Sequence, residues 1–313
     1  MYNRRMLAFC GNAHPALAKA ICDYLDMPLG NAVVKKFPDG EIDVKINDDV
    51  RGADTFVVQP TCHPVNESLF ELLLLTDCLR RASADRVTAV LPYYGYARKD
   101  RKDEGRVPIT AKLVANLITT AGANRVLAMD LHASQIQGFF DIPVDHMSAA
   151  SVLARSFLEP RIADLVVVSP DVGSVKLALP FAKRLGAALA VVDKQRVRPD
   201  LTEPGFVIGD VKGKNVLMID DIIATGGSVC AAARLLKERG AKSVQVTATH
   251  AVLCPPAVER LGAAPIDRIV VTDTIPLQDS ARGLPIAVVS VAGLLGEAMK
   301  RIHSNESVSS LFT

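Results

Sequence analysis

Short apolar runs rich in β-branched residues recur along the whole chain, and longer amphipathic stretches separate them. This alternation is typical of parallel β-sheets whose strands are joined by crossover helices. A chain of 313 residues with 49% hydrophobic residues is long enough to form two domains of this class, each with its own core. The runs that we predict as strands are 55–58, 87–92, 125–129, 165–169, 189–192, 215–219, 244–247 and 268–272.

Two pairs of segments repeat each other at nearly the same spacing. Residues 50–58 are similar to 211–219, and residues 81–87 are similar to 238–244. The repetition indicates that the two halves of the chain share one architecture, although chance similarity between α/β sequences is an alternative explanation.

The pattern of strands and helices is interrupted between residues 145 and 160, with no low-complexity linker. We therefore predict two similar domains of the α/β class, each with a mainly parallel sheet flanked by helices. The first spans 1–148. The second spans 149–313, and its last residues are expected to pack back on the first domain.

The net charge and the cysteines indicate which partners and which compartment to expect. The net charge is only +2, so no global field draws the chain to nucleic acid or to an anionic membrane, and neither partner is expected. No apolar run approaches the roughly 18 residues of a membrane span. The 6 cysteines are scattered without zinc-ligand spacing. They are expected to be free thiols in a reducing cytoplasm.

The strand predicted over 215–219 runs into paired acids and a glycine-rich turn, Asp220 to Ser228, and a helix is expected from Val229 to Glu238. Free backbone N–H groups at a helix start attract phosphate. Asp220 and Asp221 would then face sugar hydroxyls or a metal. The segment therefore predicts a binding floor for a phosphorylated sugar, and an ordinary strand-to-helix turn is the alternative.

Two loops of the first half carry polar groups suited to a nucleotide. Residues 37–41 (FPDGE) form a predicted turn with carboxylates on both sides of a glycine, which is also a common surface turn. In residues 93–103, tyrosines 93, 94 and 96 precede a cluster of cations. Aromatic faces can pack against a base while cations meet phosphate oxygens, although a solvated loop is equally compatible with this pattern.

Further polar groups follow other predicted strands. His132 comes after the strand 125–129, and Asp171 comes after 165–169, so both lie where α/β sheets bind ligands. They could hold Mg²⁺, although a structural role for His132 is as compatible with the sequence. Residues 193–198 (DKQRVR) are predicted as a mobile loop whose cations could close over a polyphosphate, or simply as a solvated basic loop.

Taken together, these motifs resemble the ribose-phosphate pyrophosphokinase family along essentially the entire chain. The matching segments are 37–41, 93–102, 130–140 (DLHASQIQGFF), 169–173 (SPDVG), 193–196, 219–228 and 273–277 (DTIPL). The resemblance implies two domains of the phosphoribosyltransferase type. It also implies Mg²⁺-dependent transfer of a diphosphoryl group from ATP to the 1-hydroxyl of ribose 5-phosphate, in a cytoplasmic homo-oligomer, commonly a hexamer.

The resemblance also assigns roles to residues of this sequence. The implied ATP-binding residues are Asp39, Gly40, Glu41, Arg98 and Lys99, partly serving a neighbouring subunit. The implied metal ligands are His132 and Asp171, and the implied catalytic cations are Lys194 and Arg196. The implied ribose 5-phosphate residues are Arg196, Asp220, Asp221, Ala224, Thr225, Gly226, Gly227 and Ser228.

The chain departs from the family pattern at four positions. Lys99 replaces a usual Gln, Gln195 a common Arg, Ser174 a usual Gly and Ala224 a usual Asp. Since Ala224 cannot accept a hydrogen bond from a ribose hydroxyl, Asp220 and Asp221 are expected to make these contacts alone. Two alternatives are a non-catalytic regulatory homologue and a phosphoribosyltransferase that consumes phosphoribosyl diphosphate. The presence of Lys194 and Arg196 disfavours the first, and the motifs at 37–41 and 130–132 disfavour the second.

Overall fold

A computed structural model describes residues 4–159, 161–198 and 201–311. For residues 194–198 and 201–204 it describes the backbone alone. The elements in chain order are β1 (Met6–Cys10), α1 (Pro15–Tyr24), β2 (Ala32–Lys36), β3 (Ile42–Ile46), β4 (Asp54–Val58), α2 (Val65–Arg81), β5 (Arg86–Leu91), α3 (Thr110–Ala121), β6 (Arg125–Met129), β7 (Val144–Met147), α4 (Ala150–Arg155), β8 (Leu165–Ser169), α5 (Val175–Leu185), β9 (Ala188–Arg198), β10 (Leu201–Ile208), β11 (Asn215–Ile223), α6 (Gly227–Glu238), β12 (Ser243–Ala251), α7 (Ala257–Gly262), β13 (Arg268–Thr272), β14 (Ile286–Val289) and α8 (Ala292–Ser304). Short 3₁₀ helices cover Ser134–Phe139, Asp279–Ala281 and Ser309–Leu311.

The chain divides into two compact units by its internal contacts. Unit 1 comprises Met1–Ser148, Thr274–Pro276 and Val291–Thr313, and unit 2 comprises Ala149–Asp273 and Leu277–Ser290. The C-terminal helix α8 therefore belongs to unit 1, where it packs against α1.

Unit 1 contains a parallel sheet in the order β1-β4-β5-β6-β7. The interior strand β4 is buried along its whole length, as expected for a parallel strand covered on both faces. Helices α2 and α3 place apolar side chains such as Leu72, Leu75 and Ile118 against this sheet. The strands β2 and β3 form a separate antiparallel hairpin.

Unit 2 contains a larger sheet in the order β10-β9-β8-β11-β12-β13-β14. Its strands are parallel except for the antiparallel pair of β9 and β10 at one edge. Helix α6 covers the sheet with Val229, Ala233 and Leu236, which are part of the unit's core. Both units thus confirm the predicted α/β class with mainly parallel sheets.

The sheet of unit 2 sets the position of its polar loops. Strands β8, β11 and β12 are parallel, so their carboxyl ends meet at one edge, which is where sheets of this class bind ligands. Within the described residues, every helix is too short or too polar to span a bilayer.

Candidate active site

The paired acids lie inside strand β11 rather than after it. The prediction that the strand ends at Ile219 is wrong, because β11 continues to Ile223. The register with β12 runs on through Asp220 opposite Ala248, whereas the register with β8 stops at Met218. The extension is possible because β12 is itself nine residues long and gives β11 a partner up to Ile223. At Asp220 and Asp221, β11 is therefore paired with β12 and no longer with β8.

A hydroxyl connects the acid of β11 with the acid that follows β8. The Ser174 hydroxyl lies 3.1 Å from Asp171 Oδ1 and 3.3 Å from Asp220 Oδ1. The Ser174 backbone N–H also donates to Asp171 Oδ1, at 2.9 Å. A hydroxyl carries one proton, so it can donate to only one of the two carboxylates at a time. The network brings the predicted metal ligand Asp171 next to the predicted ribose ligand Asp220.

Negative charge is concentrated at this edge of the sheet. Burial, together with the charges of Asp221 and Asp171, raises the pKa of the Asp220 carboxyl from 3.8 to about 7. Backbone N–H of Asp221 donates to Asp220 Oδ1 at 3.0 Å and partly offsets this rise. A cation or a hydroxyl donor bound here would relieve the repulsion, so the donor set suits a hard divalent ion or a sugar.

The loop Ala224–Ser228 leads directly into α6. Gly226 has φ +70°, in the left-handed region that glycine adopts without strain, and it caps the helix. Its carbonyl accepts the first helical bond from Cys230 N–H at 2.9 Å. Among the described residues, no side chain caps this helix start. The first amides of α6 are therefore available to an anion such as a phosphate.

One side chain from α7 contacts this loop. Arg260 Nη1 donates to the carbonyl of Thr225 at 3.3 Å. Neither Arg260 nor Ser174 was predicted as a site residue. Ser174 stands three residues after Asp171, a spacing that predicts a local hydrogen bond, so a signal for it was present. Arg260 lies 35 residues from its partner and carried no local signal.

The basic segment that contains Lys194 and Arg196 is a strand and not a loop. The prediction of a mobile loop over 193–198 is wrong, because β9 continues through it and pairs with β10. Lys194 lies opposite Pro204, where the register shifts. Proline is tolerated there because β10 is an edge strand and its pairing with β9 is irregular next to Pro204. The side chains of Lys194 and Arg196 lie outside the described residues.

In unit 1, the motif 37–41 forms the tip of the β2–β3 hairpin, as the predicted turn requires. Phe37 N–H donates to Glu41 O at 2.8 Å, and Gly40 adopts φ +94°. Asp39 Oδ1 accepts from the Glu41 backbone N–H at 3.1 Å. The carboxylates of Asp39 and Glu41 are exposed, so they are accessible to a ligand.

The tyrosine-rich loop divides into a buried and an exposed part. Tyr94 is only 2% exposed, packs against Phe140 with ring centroids 5.8 Å apart, and donates from its hydroxyl to Ala111 O. The hypothesis that this aromatic ring packs a base is therefore wrong for Tyr94, because its ring fills the core. Arg98 and Lys99 are exposed, and Lys99 pairs with Asp103 at 3.1 Å.

His132 is exposed just past the end of β6, in unit 1, whereas Asp171 belongs to unit 2. The backbone between β6 and His132 is held by Leu131 N–H, which donates to His146 Nε2 at 2.9 Å. Within the described residues, no group of three or more His, Cys, Asp or Glu side chains has an arrangement that could hold a metal.

Comparisons with known proteins cover nearly the whole chain. Residues 6–122 match a family model described as the N-terminal domain of ribose phosphate pyrophosphokinase, and residues 194–313 match the phosphoribosyl synthetase-associated domain. The ribose-phosphate pyrophosphokinase of Rhodopirellula baltica is 56% identical over 312 residues, which are 99% of each chain. That of a Nostoc species is 53% identical over 99% of this chain and 94% of its own.

A solved structure is similar to this chain throughout. The crystal structure of phosphoribosylpyrophosphate synthetase from Mycobacterium smegmatis matches with a TM-score of 0.91 and 43% identity. The match covers 96% of this chain and 100% of the other.

Proposed function

The chain belongs to the ribose-phosphate pyrophosphokinase family, and from this premise we propose how its own residues bind the substrates and transfer the diphosphoryl group. The enzyme is a ribose-phosphate diphosphokinase. It converts ATP and ribose 5-phosphate to AMP and 5-phosphoribosyl 1-diphosphate. The 1-hydroxyl oxygen of the sugar loses its proton to solvent and bonds to the β-phosphorus of ATP. The bond from that phosphorus to the α,β-bridging oxygen breaks, and AMP leaves.

Ribose 5-phosphate binds at the carboxyl edge of unit 2. The observation that carries this proposal is that the acids of β11 precede a helix start that no described side chain caps. The amides of Thr225 to Ser228 receive the 5-phosphate. Asp220 and Asp221 bind the ring hydroxyls, because Ala224 offers them no acceptor.

Asp220 is placed to accept a hydrogen bond from a sugar hydroxyl. Its Oδ1 lies 3.3 Å from the Ser174 hydroxyl and accepts from the Asp221 backbone N–H at 3.0 Å. A carboxylate has two acceptor oxygens, so acceptor capacity remains for the sugar. Asp221 extends the same surface from the next position of the strand.

ATP binds to groups carried by unit 1. The exposed carboxylates of Asp39 and Glu41, with Gly40 between them, project from the hairpin tip, and Arg98 and Lys99 supply positive charge for the phosphates. Among the described residues, no hydrogen bond or ion pair joins the hairpin tip to Arg98 or Lys99. We propose that the two groups serve different subunits.

The residues proposed to hold Mg²⁺ are His132 and Asp171. The chemistry of Asp171 fits this role, because its carboxylate is a hard oxygen ligand close to the charges of Asp220 and Asp221. When bound, the ion neutralises charge on the polyphosphate. The residues of the chain hold the substrates in line, and Lys194 and Arg196 on β9 stabilise the charge that develops during transfer.

We also propose a homo-oligomer, a hexamer by resemblance, in the cytoplasm. Helices α2 and α3 carry large apolar side chains on their outer faces, since Phe70 is 54% exposed, Leu113 53% and Leu117 40%. Exposed apolar surface of this kind is suited to association with another copy. The described cysteines are free thiols, as expected in a reducing compartment. Light scattering on a size-exclusion column would measure the assembly, and a monomer would contradict the proposal.

The site assignment is tested by substrate kinetics on point variants. Lys194→Ala should lower kcat about 10²-fold, because a preorganised donor is lost. Asp221→Ala should instead raise the KM for ribose 5-phosphate and leave the KM for ATP unchanged. Lys212→Ala, which removes an exposed cation elsewhere in unit 2, is the matched control. Near-normal turnover of Lys194→Ala, or an unchanged KM in Asp221→Ala, would remove that residue from its proposed role.

A further inference from the structure

The loop that we propose as the phosphate site rests on helix α7. At Gly226, a Cβ atom would lie 3.5 Å from Leu261 Cγ and 3.6 Å from Ala257 O. At Gly227, it would lie 3.5 Å from Arg260 Nη1. The start of the loop is also held by Leu253 N–H, which donates to the carbonyl of Ile223, the last residue of β11, at 3.0 Å. Gly226 and Gly227 therefore lie close to α7, with little more than the room of a Cβ atom between them and the helix.

Arg260 differs from its neighbours on α7 in what it contributes. Ala257 and Leu261 are 0% and 2% exposed and belong to the core of unit 2. Arg260 is exposed, so packing does not require it. Its guanidinium nevertheless lies over the loop backbone and donates to Thr225 O at 3.3 Å. This contact ties the Thr225 carbonyl to α7.

Two arginines act electrostatically on Cys230, which lies in the first turn of α6. Arg234, one turn further along the helix than Cys230, and Arg260 both lower the pKa of the Cys230 thiol, against the rise that burial causes. Both guanidiniums therefore act on the same first turn. In the described part of the chain, no carboxylate forms an ion pair with either of them. Their charge adds to the positive end of the helix dipole, which favours an anion.

We propose that Arg260 is a positioning residue for ribose 5-phosphate. By holding the Thr225 carbonyl, it keeps the loop in the conformation in which the amides of Thr225 to Ser228 face the phosphate. Its charge strengthens the same site. This inference rests on the proposed function, since it requires the loop to be where the 5-phosphate binds.

The test compares Arg260→Ala and Arg260→Lys with the wild-type enzyme. Arg260→Ala should raise the KM for ribose 5-phosphate about tenfold, the usual effect of losing a hydrogen bond made by a charged group, and leave the KM for ATP within about twofold. Calorimetric titration with ribose 5-phosphate alone should show the same loss of affinity. Arg260→Lys keeps the charge and should recover most of the affinity.

Two controls separate this role from a structural one. Arg282→Ala removes another exposed arginine of unit 2, one that pairs with Asp279 at 2.7 Å, and should change neither KM. The unfolding midpoint of Arg260→Ala should remain within about 2 °C of wild type, because an exposed side chain contributes little to stability. A KM for ribose 5-phosphate within twofold of wild type would overturn the inference. So would an equal rise of both KM values accompanied by a lower midpoint.

Gly226→Ala distinguishes failure of this inference from failure of the proposed function. The substitution strains a left-handed position in the loop and should also raise the KM for ribose 5-phosphate. If Gly226→Ala raises this KM and Arg260→Ala does not, the loop binds phosphate and only the role of Arg260 is wrong. If neither variant raises it, the loop is not the phosphate site.

Discussion

Replacing Asp54 with alanine should destabilise unit 1 strongly. The Asp54 side chain is 0% exposed at the start of β4. Its Oδ1 accepts from Arg86 Nε at 2.7 Å, and its Oδ2 lies 2.8 Å from His303 Nδ1. Arg86 also donates to Ile302 O at 2.9 Å. One carboxylate thus ties β4 and β5 to the C-terminal helix α8, and its hydrogen bond raises the pKa of Arg86.

The magnitude follows from what the substitution leaves behind. The Arg86 side chain is only 16% exposed, so Asp54→Ala leaves a largely enclosed charge without its partner. Breaking a buried pair in this way costs about 3–5 kcal/mol. At about 2–4 °C per kcal/mol, the midpoint of thermal unfolding should fall by about 6–20 °C. The double variant Asp54→Ala/Arg86→Ala removes both charges and should recover part of the loss.

Thermal and urea unfolding would measure the free energies, and hydrogen exchange would report on α8. The amides of α8 should lose protection in Asp54→Ala. Asp77→Ala, which breaks the exposed pair with Arg81 on α2, should leave both observables unchanged. A midpoint of Asp54→Ala within 1 °C of wild type, or a double variant that loses the sum of the single losses, would refute the reasoning. Since Asp54 lies at the amino end of β4, the KM values should not change.

Three further predictions concern the site, the core and pH. Ser174→Gly removes the hydroxyl between two carboxylates and should raise the KM for ribose 5-phosphate about twofold to fivefold, the worth of one hydrogen bond, whereas an unchanged KM would show that the bridge is not used. Gly30→Ala places a Cβ against the core ring of Phe9 and should cost about 1–3 kcal/mol in urea unfolding. Gly283→Ala, with open space around it, should cost almost nothing, and equal costs would contradict the packing argument. Burial raises the pKa of the thiols of Cys10, Cys22 and Cys62 from 9.0 to about 11. Their contribution to stability is present below pH 9 and is lost as the pH rises toward 11, because the unfolded chain loses these protons first. The free energy of unfolding should therefore fall between pH 9 and 11, and a flat profile would count against enclosed thiols.

The regular elements could be predicted where local pattern and packing agree. The strands Arg125–Met129, Leu165–Ser169 and Arg268–Thr272 begin and end where the apolar runs do. The end of β11 could not be predicted, because the acids that follow Ile219 suggest a loop and only the length of β12 shows that the ladder continues. Local polarity is a poor guide where a neighbouring strand supplies the hydrogen bonds.

Only some features of the candidate site carry a signal in the local sequence. The acids Asp220 and Asp221, the turn after them and Asp171 carry their chemistry in their own sequence. The Ser174 bridge to Asp220 spans 46 residues, and no pattern along the chain indicates it. Tyr94 lies in a loop whose composition is typical of a binding loop, yet its ring is buried by tertiary packing against Phe140. Contacts between distant segments decide which polar or aromatic residues face a ligand.

The most direct test of the account is the fate of ATP in the presence of the folded enzyme, Mg²⁺ and ribose 5-phosphate, with AMP and ADP separated by chromatography. The account predicts AMP that depends on ribose 5-phosphate and equals the phosphoribosyl diphosphate formed, and this result would show that Ala224 is tolerated. If folded protein formed no AMP at saturating substrates, the central claim would be contradicted and a regulatory homologue would be the better description.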